Sequence, residues 1–237
     1  MLKRIKNIYR SILSIPIIHR KINEIMWADI YRETIKDVPW LKTLSISPGD
    51  MAANFSLLYI LVRILKENKI ESVLEFGLGQ STRIIESFNI HTNKLIKHDV
   101  IEDNDDWINT FEKNRTSKYS IISFTRTTIN KHNHSIQIYD KLQKSVKCNY
   151  DLYLIDGPRG LPRYSRYDIC ILAAAFNRQS QFIIIIDDYN REGEKQTVSD
   201  LIYILDSKNI TVHKKEYSGT KDQLVITTEF YKNVITY

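Results

Sequence analysis

The chain has 237 residues, 43% apolar and 26% charged, which suits one globular α/β domain with a full core and excludes a disordered or fibrous polymer. Its net charge of +6 is local: Lys3, Arg4, Lys6, Arg10, Arg20 and Lys21 precede the first acid, Glu24, and the other 28 basic residues match 28 acidic ones. A nucleic-acid protein would more often spread such an excess around its site, so no nucleic-acid partner is expected.

Residues 1–49 read as an N-terminal amphipathic helical arm and linker. At about 100° per residue, Leu2, Ile5, Ile8, Tyr9, Ile12, Leu13 and Ile15 share one side, with Lys3, Arg4, Lys6, Arg10, Ser11 and Ser14 opposite. Such a helix suits peripheral contact with an anionic membrane through residues 2–18, or packing on its own domain or on a second subunit of a homo-oligomer. Ser14 and Pro16 interrupt the Ile12–Ile18 run, which is too short to span a bilayer. His19-Arg20-Lys21 closes it with no small-residue cleavage site, so a secretory signal is not expected. The expected location is the cytoplasm, or the inner face of its membrane. Cys148 and Cys170 have no metal or redox spacing and read as reduced thiols.

Residues 50–237 read as the core domain. Ser47-Pro48-Gly49-Asp50 marks a turn, and Asp50 is placed to cap a helix reaching Leu65. The strand Ser72–Phe76 then runs into Gly77-Leu78-Gly79-Gln80-Ser81-Thr82, and a helix follows to Phe88. Further strands are predicted near Lys94–Glu102, Ser120–Thr127, Tyr150–Asp156 and Phe182–Ile186, with helices at Trp107–Asn114, Ile169–Phe176 and Thr197–Leu205. The run Phe182–Ile186 belongs in the centre of a parallel sheet. Ile210–Tyr217 and Gln223–Thr228 close the chain as a hairpin through Ser218-Gly219. The alternation predicts an α/β fold, a doubly wound and mostly parallel sheet.

Ligands of such sheets bind beyond the carboxyl ends of the strands. Gly77 and Gly79 let the backbone pass close to a ligand there, and Ser81 or Thr82 can cap the next helix. A dinucleotide fingerprint would place a third glycine where Thr82 stands. Glu102 ends the second strand where an acid can accept both ribose hydroxyls of a nucleoside. Asp156 ends another strand before Gly157-Pro158-Arg159-Gly160, and Asp187-Asp188 follows the most apolar strand; adjacent carboxylates repel unless a cation or hydrogen bonds compensate. The loop from Arg159 to Tyr167 carries Arg159, Arg163, Tyr164 and Arg166, types that read anions and sugar faces. It looks like an acceptor loop for an anionic sugar. His98, His132 and His134 read as structural or surface residues.

The Ser72–Thr82 segment resembles the first motif of class I S-adenosylmethionine-dependent methyltransferases, which share the Rossmann-like, doubly wound sheet. The segment from Ile101 to Trp107 resembles the acidic, tryptophan-containing stretch of small-molecule and glycan methyltransferases. The resemblance implies that Glu75, Gly77, Gly79, Ser81, Thr82, Glu102 and Asp156 surround S-adenosylmethionine, with Glu75 near its methionine part. Asp156, Asp187 and Asp188 resemble the metal site of divalent-cation-dependent O-methyltransferases, some of which methylate antibiotic deoxysugars. They would hold Mg²⁺ or, without metal, supply the base. The expected activity is therefore O-methylation of a sugar hydroxyl on a glycan or glycan precursor. The absence of an Asn-Pro-Pro-Tyr type motif after the fourth predicted strand argues against a base amine as acceptor. The alternatives are a non-sugar small molecule as acceptor, a non-catalytic binding or assembly protein on the same fold, and an NAD or nucleotide-sugar enzyme, which Thr82 disfavours.

Overall fold

The computed structural model describes residues 2–46, 52–92, 96–113, 120–123, 125–146 and 149–237. The expected turn at residues 47–50 with its Asp50 cap, and Cys148, lie outside the described residues. The chain opens with helix α1 (Leu2–Thr34), which contains Pro16, and a short α2 (Pro39–Lys42). Then follow α3 (Phe55–Glu67), β1 (Ser72–Phe76), α4 (Gln80–Thr92), β2 (Lys97–Glu102), α5 (Asp105–Glu112) and β3 (Ser120–Ser123). The second half holds β4 (Arg126–Lys131), β5 (His134–Tyr139), α6 (Leu142–Ser145), β6 (Leu152–Ile155), α7 (Asp168–Ala173), β7 (Ile183–Ile186) and α8 (Glu192–Ser207). Strands β8 (Val212–Ser218) and β9 (Asp222–Thr228) and a 3₁₀ helix (Glu229–Thr236) finish the chain.

Among the described residues seven strands form one sheet in the order β3-β2-β1-β6-β7-β9-β8. The first five are parallel, while β9 runs antiparallel to both β7 and β8. This is the doubly wound, mostly parallel sheet the sequence predicts. The four isoleucines of β7 show why it lies in the interior: Ile183 and Ile185 enter a core with α3 and α4, while Ile184 and Ile186 enter one with α7 and α8. Alternating side chains bury both faces only when helices cover both.

One predicted strand is corrected. Ser120–Thr127 is two strands, because β4 leaves the sheet and pairs with β5 in a separate hairpin. His132 and Asn133 turn it with φ of 47° and 63°, the backbone that a two-residue hairpin turn requires. The second strand of this hairpin, His134–Tyr139, is not among the strands the sequence predicts.

The arm is anchored to the domain through its second half. Tyr31, Ile35, Val38 and Leu41 belong to the same core as α3. Glu24 accepts hydrogen bonds from the Phe55 amide (2.6 Å), Asn54 Nδ2 (2.9 Å) and both the amide and hydroxyl of Thr220 (3.0 Å each). A carboxylate 31 positions upstream thus satisfies the first turn of α3, a place where helix amides otherwise lack partners. Trp27 Nε1 donates to the Ser218 carbonyl at 2.9 Å, and Arg20 pairs with Asp222 at 3.0 Å.

Candidate active site

Strands β1 and β6 are neighbours whose chains leave the sheet in opposite directions, the switch point where a crevice opens. Their ends are fused by two glycines. Gly77 has φ of +98°, and a Cβ on Gly157 would lie 2.7 Å from the Gly77 Cα. No side chain fits at Gly157 without separating the strand ends. Gly79 is different: a Cβ there would meet only the Ser81 hydroxyl, at 4.0 Å, so its smallness answers to no protein contact. Its amide donates to Thr82 Oγ1 at 3.0 Å, the return bond of a capping box at the start of α4. Thr82, where a dinucleotide site would have glycine, is thus a helix-capping residue.

Glu75 and Ser81 lie beneath this loop. Both are buried, the Ser81 hydroxyl donates to the Glu75 carboxylate, and His98 Nε2 contacts its other oxygen at 2.9 Å. Glu75 therefore braces the loop from below, and His98 is the structural histidine expected. Glu102 faces the cleft from the end of β2. Its oxygens accept from the amides of Leu78 (3.1 Å), Asp103 (2.9 Å) and Asn104 (3.1 Å). Burial raises its pKa, although those three amides pull the other way. Of the acids that follow, Asp103 is half-buried and pairs with Arg126, while Asp105 and Asp106 are exposed. Asn104 caps α5 by accepting from the Trp107 amide, Asp105 and Asp106 sit in its first turn, and Trp107 Nε1 donates to the Leu78 carbonyl at 2.8 Å.

Asp156, Asp187 and Asp188 converge at the ends of β6 and β7, with one oxygen of each lying within 4.8 Å of the others. The chain's own cations surround them. Lys221 Nζ reaches Asp187 Oδ2 at 2.7 Å, and Gln223 Nε2 donates to Oδ1 at 2.7 Å. Arg166 Nη2 and Arg191 Nη1 both contact Asp188 Oδ2 at 2.9 Å, and Arg166 stands 3.7 Å from Asp156. Asp188 Oδ1 is buried and has no hydrogen-bond partner among the described residues. Burial and then the Asp187 charge push the Asp156 carboxyl well above the usual range. Burial also opposes ionisation of Asp187, but Lys221, the neighbouring Asp156 carboxyl and Arg166 outweigh it and lower its pKa. Asp188 and Arg166, joined to each other, have φ of 60° and 56°. Two non-glycine residues in this conformation cost of order 1 kcal/mol each and persist where the surroundings enforce them.

Lys221 and Gln223 escaped the sequence reading. Their signal was the closing hairpin: an antiparallel last strand returns its first residues to the edge where β7 ends. The predicted acceptor loop divides. Arg159 is exposed, lines the cleft and pairs with no acid among the described residues. Arg166 is buried and also donates to the carbonyls of Asp187 (3.0 Å) and Pro158 (3.1 Å), so it holds the two strand ends together. Tyr164 packs on the rings of His132 and His134, with centroids 5.2 and 5.9 Å away. Arg163 is exposed and, like Tyr164, does not line the cleft.

The cleft that joins these groups encloses about 1290 Å³, above the roughly 300–1,000 Å³ of a single small-ligand site. Gly77, Leu78, Glu102 and Trp107 line one part; Asp156, Arg159, Asp188, Arg191 and Lys221 line the other. It has room for two ligands side by side.

No protein family's sequence profile matches the chain. No curated protein matches it by sequence. Solved structures with a similar course of the chain include the precorrin-6y C5,15-methyltransferase of Geobacter metallireducens GS-15 (TM-score 0.49, 11% identity, covering 78% of this chain and 93% of that one). The methyltransferase PaMTH1 of Podospora anserina, bound to S-adenosylhomocysteine (SAH), gives 0.47 at 10% identity over 86% and 87% of the two chains. A methyltransferase of Pyrococcus furiosus gives 0.47 at 14% identity over 87% and 98%. At these values the likeness is one of general shape, and the functional reading rests on the site itself.

Proposed function

We propose that the chain is an S-adenosylmethionine-dependent O-methyltransferase acting on a hydroxyl of an anionic sugar in a glycan or glycan precursor. One observation carries this reading: a single two-part cleft has a buried, amide-fixed carboxylate, Glu102, at one end and a carboxyl of raised pKa, Asp156, at the other.

The cofactor part fits a nucleoside. Glu102 retains one acceptor position, on Oε2, for a ribose hydroxyl, the Trp107 indole flanks it, and the Gly77–Gly79 backbone leaves space for the rest. S-adenosylmethionine, when bound, supplies a sulfonium methyl that passes to the acceptor oxygen while the electron pair of the broken C–S bond returns to sulfur. Asp156 accepts the hydroxyl proton as the new C–O bond forms. A carboxylate with a raised pKa is a stronger base than an ordinary one, which suits it to a sugar hydroxyl. Lys221 keeps Asp187 ionised beside it, Arg166 pairs with Asp188, and Arg159 and Arg191 offer guanidinium groups to an acceptor carboxylate.

The three aspartates do not suit a resident Mg²⁺ in this arrangement. Both Asp187 oxygens and one Asp188 oxygen are engaged, and Lys221, Arg166 and Arg191 already face these carboxylates together with the buried Glu194, which lies 3.8 Å from Arg166. Added divalent charge would meet Lys221 and Arg166 at close range. No step of the reaction is therefore assigned to a metal.

The test is transfer of labelled methyl from S-adenosylmethionine to oligosaccharides containing hexuronic acid and to their carboxyl-reduced forms. The acidic forms should be the better substrates, and equal transfer to the reduced forms contradicts the role given to Arg159 and Arg191.

A further inference from the structure

Helix α1 has a second face that the fold does not use. Ile15, Ile18, Ile22, Ile25 and Met26 recur at helical spacing and are between 51% and 70% exposed. The opposite face, with Arg20, Glu24, Trp27 and Tyr31, makes the contacts to the domain described above. The helix is thus already anchored, and its stripe adds nothing to that anchoring. Isolated apolar side chains on a surface are ordinary, but a row of five marks an interaction surface.

Two further observations indicate what covers it. Arg20 and Glu24 grip Thr220 and Asp222 in the β8–β9 turn, which also delivers Lys221 to the cleft. The helix before Arg20 therefore continues past the sheet edge where the cleft opens, for about 27 Å at about 1.5 Å per residue. The same segment carries the whole charge surplus of the chain: six basic residues and no acid before Glu24. A second copy placed on the stripe would bring the same surplus, whereas an anionic bilayer complements it. No helix among the described residues is long and apolar enough to cross a membrane, so the contact lies in its plane.

We infer that α1 lies in the surface of an anionic bilayer, with the Ile15–Met26 stripe embedded and the cleft held close to the lipid. It follows that the acceptor is presented at a membrane; that clause rests on the methyltransferase reading, whereas bilayer binding does not.

The 237-residue chain should co-sediment with vesicles of phosphatidylcholine mixed with phosphatidylglycerol, and not with phosphatidylcholine alone. Ile22→Asp combined with Ile25→Asp should weaken that binding at least about tenfold, with SAH affinity unchanged. Absence of binding to the anionic vesicles overturns the inference, as does equal binding by the double variant. A native dimer that the double variant converts to monomer, without vesicle binding, assigns the stripe to a second copy and overturns it too. Because SAH titration is independent of lipid, loss of the membrane role and failure of the methyltransferase reading are distinguishable.

Discussion

Asp156 shows how one residue's environment sets its chemistry. Its side chain is 24% exposed, beside an ionised Asp187 that Lys221 and Gln223 hold in place. Its raised pKa means that the base form is reached at higher pH than for an ordinary carboxyl, so the acid limb of the rate profile should lie well above pH 4. Asp156→Asn should lower kcat by about 10² or more while leaving SAH affinity within a factor of about three; native turnover in this variant contradicts the assignment. Lys221 allows a sharper test of the cation question. Native protein should keep full turnover in chelator and show no saturable Mn²⁺ binding by electron paramagnetic resonance, while Lys221→Ala should acquire such binding. Chelator-sensitive native turnover returns the three aspartates to a metal. Asp168 offers a test of stability. Burial raises its pKa to about 6, against the bond from the Tyr139 amide, and its second oxygen is buried without a hydrogen-bond partner among the described residues. The folded state holds that proton more tightly than the unfolded chain does, so stability falls as pH rises from about 4 to about 6, by up to about 3 kcal/mol at 1.4 kcal/mol per pKa unit. Asp168→Asn should therefore unfold at higher urea than native protein at pH 8, and the advantage should vanish near pH 4.

At the scale of elements, fit depends on which parts of the chain must touch. Gly157→Ala would drive a Cβ into the Gly77 backbone and should destabilise the fold by more than about 2 kcal/mol, since neither strand end can yield easily. Gly79→Ala should cost less than about 1 kcal/mol, and a melt of both variants checks the contrast. Glu24→Ala strips four donors of their acceptor and should cost about 2 kcal/mol in urea unfolding, although it lies in the arm. The parallel strands were legible because their patterns are local: Ile183–Ile186 reads as buried on both faces wherever it sits. The β4–β5 hairpin was not, because its strands alternate weakly and the turn signal is His132-Asn133 rather than the Asn-Gly type. Glu24 as the partner of α3 could not be read at all, since nothing near Phe55 in the sequence points 31 residues back.

Across the whole molecule, the candidate site divides along the same line. Glu102, Asp156, Asp187 and Asp188 were legible from their position at strand ends, a place fixed by topology. Glu75 is held beneath the loop by Ser81 and by His98 of β2, and the reach of His98 could not be read from the sequence. Lys221 and Gln223 were missed because their role exists only once β9 runs antiparallel to β7. One switch point brings together the two parts of the cleft, lined by Glu102 and Trp107 on one side and by Asp156 and Asp188 on the other. Titration calorimetry with SAH tests the central claim most directly, because it needs no acceptor. Native protein should bind saturably at one site, and Glu102→Gln should weaken binding at least about tenfold through loss of the charged acceptor. Absence of binding at about millimolar ligand, or equal affinity in Glu102→Gln, would contradict the account.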